Sequence, residues 1–359
     1  MKKSDTVIFL AVFLLISLGL LILGSLSKND SPIFFSLKKQ LLFVVIGISL
    51  FFLISSFDWR ILHNASALLI TLYFLALASL FLVLFFGQTS RGATGWFNLG
   101  FFSLQPVEFV KIILLLVLAK YLSSRHLEIW LFKYLFTSGI YAFLPVGLVL
   151  LQPDLGGAII LCLIWFFLVL ASGIRWNQIF LLLIIFILVI ALAWGFLLKP
   201  YQRTRIINFL HPTQDLEGAG YNRNQALISI GSGRIFGKGL GWGTQTQLNF
   251  LPLAKTDFIF AALAEELGLI GAIILLSLFL LLFSRLAHWA NTFDNNFCKL
   301  FTFGFAIKLL IEVFINLGMN TGLLPIIGIA LPFISYGGSH LLVDFIGLGI
   351  INSMIRYRV

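Results

Sequence analysis

Long apolar runs separated by short polar segments dominate the pattern of the chain. Each of ten runs comes near the roughly 20 residues that a helix needs to cross a bilayer. The first run follows Met1-Lys2-Lys3 and is too long for the core of a cleaved signal peptide, so we interpret it as a retained span. The spans are predicted at about 6–26, 40–57, 66–86, 104–122, 137–152, 155–172, 177–197, 256–284, 298–320 and 331–355.

A polar, glycine-rich segment, 198–255, lies between the seventh and eighth runs. The pattern therefore predicts an all-α polytopic membrane protein of about ten transmembrane helices, with one large extracytoplasmic loop between helices 7 and 8. A single integral membrane domain is expected over 1–359. The glycines at 231–243 predict tight turns or a close approach to a ligand. Cationic residues of the loop, such as Arg205 and Lys238, would attract an anionic headgroup, although a solvated loop has the same composition.

Composition and charge narrow the class of protein. With 60% hydrophobic and 11% charged residues, the chain does not resemble a soluble domain. The net charge of +10 comes from basic residues scattered through short loops rather than from one basic face, so nucleic acid is not a predicted partner.

The distribution of Lys and Arg among the short loops predicts the orientation, because cytoplasmic loops carry an excess of these residues. Four lie on the side opposite the N-terminus: Lys28, Lys38, Lys39 and Arg91. Eleven lie on the N-terminal side: Lys2, Lys3, Arg60, Lys120, Arg125, Lys133, Arg175, Arg285, Lys299, Arg356 and Arg358. Both termini are therefore predicted to be cytoplasmic, with 198–255 outside.

Charged residues inside the predicted spans are costly in lipid and should face the protein interior or a wet cavity. Glu108 and Lys111 can pair at i,i+3 spacing, and Glu265 lies deep in the eighth span. The alternative for the pair is a self-neutralised structural bridge.

Three carboxylates from separate parts of the chain, Glu108, Asp154 and Asp257, fall near the predicted outer surface. Their convergence would give one outward-facing site suited to general-base catalysis, to cation binding or to both. Thr256 is predicted to cap the eighth span, with Asp257 in its first turn. The plain alternative is an aspartate that only complements the helix dipole.

A proline and two adjacent glycines interrupt the last apolar run at 331–340. Irregular backbone at membrane depth is tolerated where it lines a cavity or is buried in protein. Tyr336, Gly337, Gly338 and Ser339 are therefore candidate site residues, and a packed helix kink is the alternative.

Several motifs, taken in order, resemble those of the SEDS polymerases (shape, elongation, division and sporulation), and of their RodA branch in particular. Together they cover nearly the whole chain and are specific. They are Gly100 to Lys111, Gln152 to Gly156, Tyr201 to Ile206, Gly220 to Asn222, Gly231 to Gly233, Gly237 to Gly239, Phe250 to Pro252, Thr256 to Phe260, Glu265 to Gly268, Asn316 to Met319, Gly322 to Pro325 and Leu331 to Ser339.

The resemblance implies a peptidoglycan glycosyltransferase that polymerises lipid II at the outer face of the bacterial cytoplasmic membrane, for cell elongation and rod shape. Asp257 matches the family's essential aspartate and is our predicted general base, and Glu108 and Lys111 match a functional pair. We expect Arg205, Lys238, Lys111 or a divalent cation, Mg²⁺ or Mn²⁺, to stabilise the departing diphosphate. No organic cofactor is expected.

The implied partners are a class B penicillin-binding protein, which is a single-span transpeptidase, and other membrane proteins of the elongation complex. Docking is expected through the spans at 256–284 and 298–320, where Gly304 and Ala306 are small enough to admit a partner helix. The alternative is that both residues pack within this protein.

This chain departs from the family pattern at several positions near the site. Leu253 stands where the family has Glu, Lys255 where it has His, and His340 where it has a second Ser. These departures would change the surroundings of Asp257 or the metal dependence, while Asp257 itself is retained.

The residues are also compatible with rival functions. Buried charges and a broken helix suit a lipid flippase or transporter, although no internal repeat is visible. A division-type, FtsW-like polymerase and a non-catalytic scaffold for wall-building proteins are two further hypotheses.

Overall fold

The computed structural model of the protein describes residues 5–27, 31–90, 93–100, 102–125, 131–192 and 219–358, together with residues 195, 202, 203, 207 and 209. Arg205, one of the predicted diphosphate ligands, lies outside these residues. Helices dominate the described chain, and the all-α prediction is confirmed.

Thirteen helices are described. They are α1 (Thr6–Leu26), α2 (Ser31–Ser56), α3 (Arg60–Asn64), α4 (Ser66–Phe86), α5 (Pro106–Ser124), α6 (Phe132–Leu151), α7 (Leu155–Ala171), α8 (Trp176–Leu192), α9 (Ala219–Gly233), α10 (Thr244–Gln247), α11 (Ile259–Thr292), α12 (Asn296–Asn320) and α13 (Gly338–Arg356). Among the described residues, seven helices are long and apolar enough to cross a membrane: α1, α2, α4, α6, α11, α12 and α13. The prediction of a polytopic membrane protein is therefore confirmed.

A small antiparallel sheet, which the sequence did not predict, precedes α5. Its strands are β1 (Gln88–Ser90), β2 (Ala93–Asn98) and β3 (Ser103–Leu104), and they pair in that order. The amide of Thr94 donates to the carbonyl of Gln152 at 3.1 Å, which ties the sheet to the turn before α7. Strands β1 and β3 carry too few residues for an alternating pattern to be recognised, and the sequence of β2, Ala-Thr-Gly-Trp-Phe-Asn, does not alternate.

The chain divides into two compact units. The first unit comprises the described parts of 1–56, 205–286 and 309–357, and the second those of 57–204, 287–308 and 358. A single membrane domain over 1–359 stays a prediction. In the first unit, helices approach closely at glycines: a β-carbon on Gly19 would lie 2.7 Å from the carbonyl oxygen of Ile334, and one on Gly47 would collide with the Phe345 ring.

In the second unit, α12 packs through Gly304. A β-carbon there would lie 2.6 Å from Leu115 Cδ2 and 2.9 Å from Leu168 Cδ2. Of the two alternatives for Gly304, packing within this protein is confirmed and docking of a partner helix at this glycine is wrong, because the side chains of Leu115 and Leu168 already occupy that space.

Helix α2 begins at Ser31, earlier than the predicted start at 40. Lys38 and Lys39 consequently belong to the helix rather than to a loop. Their ammonium groups lie 4.6 Å from the ring centroids of Phe34 and Phe35, one turn earlier. Long lysine stems that run along apolar surface explain how the charges are tolerated in the helix.

The backbone of α11 is broken at Gly268, where φ is 68° and ψ is −162°. Residues 234–239 supply the hydrogen bonds that the break removes. Gly237, Gly239 and Gly241 have positive φ, and Gly237 lies against the Glu266 carbonyl, so the predicted tight turns of this glycine run are confirmed. The close approach to a ligand stays a prediction. The bonds are Lys238 N to Glu265 O at 2.9 Å, Gly239 N to Glu266 O at 3.0 Å, Leu269 N to Arg234 O at 2.9 Å and Ile270 N to Ile235 O at 3.2 Å.

Candidate active site

Asp257 lies in a run of turns that precedes α11, and its exposed fraction is 5%. The helix begins two residues later, at Ile259. The Thr256 hydroxyl donates to the carbonyl of Leu253 at 3.4 Å, and Leu253 has a φ of 56°. The prediction that Thr256 caps the helix, with Asp257 in its first turn, is therefore wrong.

Two asparagines one turn apart on α12 hold the main chain at Asp257. The side-chain nitrogens of Asn316 and Asn320 donate to the Asp257 carbonyl at 3.1 and 2.9 Å. The Asn320 side-chain oxygen accepts from the amide of Ala261 at 3.2 Å. Both asparagines are fully buried. Neither was a predicted site residue, although two amides on an apolar span are a signal, because buried polar groups require partners.

The broken segment before α13 reaches the same turn from the other side. The Ser335 hydroxyl donates to the carbonyl of Thr256 at 2.6 Å and accepts from the amide of Leu331 at 2.8 Å. The amide of Tyr336 donates to the carbonyl of Lys255 at 2.9 Å. The predicted irregular backbone thus packs against the turn that carries Asp257.

Gly328 lies beside the Asp257 side chain. A β-carbon on Gly328 would stand 3.6 Å from Asp257 Oδ2, and Gly328 has a φ of 84°. The backbone of Gly328 therefore lies beside the Asp257 carboxylate.

The neighbouring predicted site residues mainly fix the start of α13. The amide of Gly337 donates to Gln40 Oε1 at 3.2 Å, and Gly338 packs against the Phe43 ring. Ser339 is buried in the first turn of α13. The predicted span at 331–355 is accordingly shorter at its start, because residues 331–337 form turns.

Two of the family departures have clear contacts. Lys255 Nζ donates to Ser36 Oγ at 2.9 Å and lies 5.5 Å from the centroid of the Tyr336 ring. His340 lies between two fully buried carboxylates: Nε2 is 3.2 Å from Glu312 Oε2, and Nδ1 is 3.5 Å from Asp344 Oδ2.

Glu265 is fully buried in α11, and its carboxylate is surrounded by donors. A buried carboxylate is tolerated when it is paired and hydrogen-bonded. This cluster fastens the loop 234–247 to α11, and it gives Lys238 and Glu265 a structural role. The donors are Lys238 Nζ at 2.9 Å, Gln245 N at 2.9 Å, Thr246 N at 3.0 Å, Thr244 Oγ1 at 3.4 Å and Ser232 Oγ at 3.5 Å.

In the second unit, Lys111 Nζ is 2.8 Å from Glu108 Oε1, and the two side chains are 3% and 8% exposed. The predicted pair is confirmed. Asp154 caps α7 by accepting from the amide of Gly157 at 2.9 Å. Burial raises the pKa of Asp154, and the Gly157 amide and the Lys111 charge oppose that shift, whereas the Glu108 charge adds to it. The charge of Lys111 therefore acts on two carboxylates, those of Glu108 and Asp154.

Comparison with known proteins identifies the family. The family model for FtsW, RodA and SpoVE, described as "Cell cycle protein", matches residues 5–359. The chain belongs to this family.

Two relatives and one solved structure illustrate the similarity. The peptidoglycan glycosyltransferase MrdB of Escherichia coli K12 is 41% identical over 80% of this chain and 77% of its own length. The "Probable peptidoglycan glycosyltransferase FtsW" of Coxiella burnetii is 36% identical over 98% of both chains. A chain from a peptidoglycan synthase complex, described as coordinating polymerization and crosslinking, superposes with a TM-score of 0.84 at 33% identity over 100% of both chains.

These similarities confirm two predictions: the family resemblance and a peptidoglycan glycosyltransferase activity. The site residues divide between the two units. Glu108, Lys111 and Asp154 come together in the second unit, and Thr256, Asp257 and Tyr336 in the first. The convergence of Asp257 with Glu108 and Asp154 stays a prediction.

Proposed function

We propose that this family member polymerises lipid II into glycan strands at the outer face of the bacterial cytoplasmic membrane, with Asp257 as general base. One observation carries the proposal. Asp257 is a buried carboxylate whose main chain is fixed by two asparagines and a neighbouring serine, outside any helix. A catalytic base needs such a fixed position. The excess of Lys and Arg on the N-terminal side supports cytoplasmic termini.

The reaction joins two sugars. The 4-hydroxyl of the acceptor sugar attacks the anomeric carbon of the lipid-linked donor, and the bond from that carbon to the diphosphate breaks. The hydroxyl proton passes to the Asp257 carboxylate, and undecaprenyl diphosphate leaves with the electron pair. A sugar hydroxyl is a poor nucleophile at neutral pH, so a positioned base accelerates the step by about 10²–10⁴-fold.

We propose that a cationic group stabilises the departing diphosphate. Lys111 and Lys238 are paired with Glu108 and Glu265, so their charges are balanced within the protein. A divalent cation, Mg²⁺ or Mn²⁺, is a second candidate, and the Asp257 carboxylate is the kind of oxygen ligand that these ions bind. Polymer yield measured with EDTA, and again after Mg²⁺ or Mn²⁺ is restored, tests this.

Asp257→Asn tests the base assignment. Asparagine keeps the size of the side chain but accepts no proton, so purified variant given labelled lipid II should form no polymer while its folded yield stays near that of the parent. Equal polymer from variant and parent would refute the assignment. A lipid transporter, the rival function, predicts no polymer from the parent either.

We propose cell elongation as the physiological role. The motifs around Lys238, Thr244 and Pro252 support it, since they resemble RodA more than FtsW. Expression of this gene in cells depleted of their rod-shape polymerase, and separately of their division polymerase, distinguishes the two roles. Restoration of division without rod shape would favour a division-type polymerase.

We also propose that the protein works beside a single-span transpeptidase, a class B penicillin-binding protein, with other elongation proteins. Support comes from the similar chain of a complex that couples polymerization to crosslinking. Co-purification from membranes tests the proposal, and the outward faces of α11 and α12, rather than Gly304, are the docking candidates.

A further inference from the structure

The carbonyl of Asp257 and the amide of Ala261 are four residues apart along the chain. In an α-helix such a pair bonds directly. Here each group bonds instead to the side chain of Asn320: the Ala261 amide donates to Oδ1 at 3.2 Å, and Nδ2 donates to the Asp257 carbonyl at 2.9 Å. A single carboxamide from α12 thus occupies the place of the helical hydrogen bond.

The Asn320 carboxamide belongs to a larger network of buried hydrogen bonds. The second Nδ2 proton of Asn320 goes to the carbonyl of Asn316 at 2.8 Å, and Asn316 Nδ2 also reaches the Asp257 carbonyl at 3.1 Å and the Ile329 carbonyl at 2.8 Å. Both side chains have no exposed area. Because buried polar groups are costly when unpaired, this network strongly favours one arrangement of the main chain.

We propose that Asn320 is a positioning residue for the glycosyl transfer: its carboxamide, inserted between residues 257 and 261, stops α11 from extending back and so holds Asp257 out of the helix. The inference rests on the proposed role of Asp257 as base. Asn320 acts through the main chain and needs no contact with substrate.

Loss of the Asn320 carboxamide removes one hydrogen-bond partner from the buried Ala261 amide and one from the buried Asp257 carbonyl. The Asp257 carbonyl keeps the bond from Asn316 Nδ2, whereas the Ala261 amide loses its acceptor. We expect this amide to bond directly to the Asp257 carbonyl, because that bond adds one residue to a helix that already begins at Ile259. This lengthening of the helix by one residue would move the Asp257 carboxylate to a new position. Displacement of a reacting group by about 1 Å costs about 100-fold in rate.

The test compares Asn320→Leu with the parent in steady-state polymerisation of lipid II. The expected result is a loss in kcat of about 10- to 100-fold with KM changed by less than about 2-fold, because the base moves while the substrate contacts remain. Asn320→Gln, which restores a carboxamide, should recover several-fold of the lost kcat. The matched control is Thr321→Val, since the Thr321 hydroxyl is exposed and bonds only to the Leu317 and Gly318 carbonyls of its own helix. That variant should keep the parental kcat.

An unchanged kcat in Asn320→Leu, a raised KM alone, or equal losses in the leucine and glutamine variants would overturn the inference. If the leucine variant does not accumulate, Asn320→Asp decides, because it keeps the size and the acceptor for Ala261 but loses the donors. It should lose kcat at constant KM, and full kcat overturns the inference. Polymer formation by Asp257→Asn would instead refute the proposed function itself.

Discussion

Removing the charge of Lys111 should destabilise the protein more than removing that of Glu108. The Lys111 ammonium lies 2.8 Å from Glu108, its charge also acts on Asp154, and the Lys111 and Glu108 side chains are 3% and 8% exposed. Lys111→Met removes the ammonium that lies beside Glu108 and acts on Asp154, whereas Glu108→Gln leaves Lys111 with Asp154. The expected asymmetry follows from that difference in charge balance.

Breaking a buried ion pair by removing one partner costs about 3–5 kcal/mol, and we expect Lys111→Met to fall in this range. Glu108→Gln should lower the free energy of unfolding by about 1–3 kcal/mol, the usual cost of leaving a buried donor or acceptor without its hydrogen bond. For a unit of about 150–250 residues, each kcal/mol shifts Tm by about 2–4 °C, so Lys111→Met should lower Tm by about 6–20 °C. The double variant should lose less than the sum of the single variants, because no unpaired member of the pair remains.

The assay is the folded fraction of detergent-solubilised protein, measured by size exclusion after heating to a series of temperatures. Lys120→Met is the matched control, because Lys120 lies on the same helix and makes an exposed bond to Ser66 at 2.9 Å. Its Tm should change little. The reasoning is refuted if Lys111→Met and Lys120→Met shift Tm equally, or if the effects of the Glu108 and Lys111 variants simply add.

Two further predictions concern packing and pH. Gly304→Trp should lower the yield of folded protein and the polymer output even without a partner, because overpacking against Leu115 and Leu168 costs about 1–3 kcal/mol or more; a parental Tm would contradict it. Burial raises the pKa of Asp154 above its ordinary 3.8, so the protonated carboxyl stabilises the folded state. This contribution to the free energy of unfolding is complete below about pH 3.8, and it is lost as the pH rises through the pKa of the folded state. Asp154→Asn, which can still cap Gly157, should therefore be less sensitive to rising pH in Tm measurements, and parallel pH curves would contradict the burial argument.

Local patterns predicted the helices well where polar residues bound an apolar run. Helix α1 begins after Asp5, whose carboxylate accepts from the amides of Val7 and Ile8, and its bounds agree with the prediction. The pattern places the start of α2 too late, because two adjacent charged residues, Lys38 and Lys39, are typical of a loop. Their stems lie along neighbouring phenylalanines, and composition alone does not show that.

In the candidate site as well, contacts between residues close in sequence were predictable, whereas contacts between distant residues were not. The Glu108–Lys111 pair was predictable because helical spacing alone brings i and i+3 together. The start of α11 was not, because a capping rule that looks only at Thr256 misses Asn320, which lies 59 residues beyond Ala261. The tertiary hydrogen bonds of Asn320 outweigh the local preference of threonine for the N-cap position, which is worth about 1 kcal/mol.

The break at Gly268 makes the segment 234–239 part of the hydrogen bonding of α11, a helix long and apolar enough to span a membrane. Four backbone hydrogen bonds with residues 234–239 satisfy the amides and carbonyls of α11 that have no helical partner at this break. In lipid, each such group left open would cost several kcal/mol. A chimera that exchanges the loop between relatives at the start of α11 would therefore cut through one hydrogen-bonded structure. Recombination points in this protein belong outside the combined stretch from 234 to 270, because that stretch must be inherited as one piece.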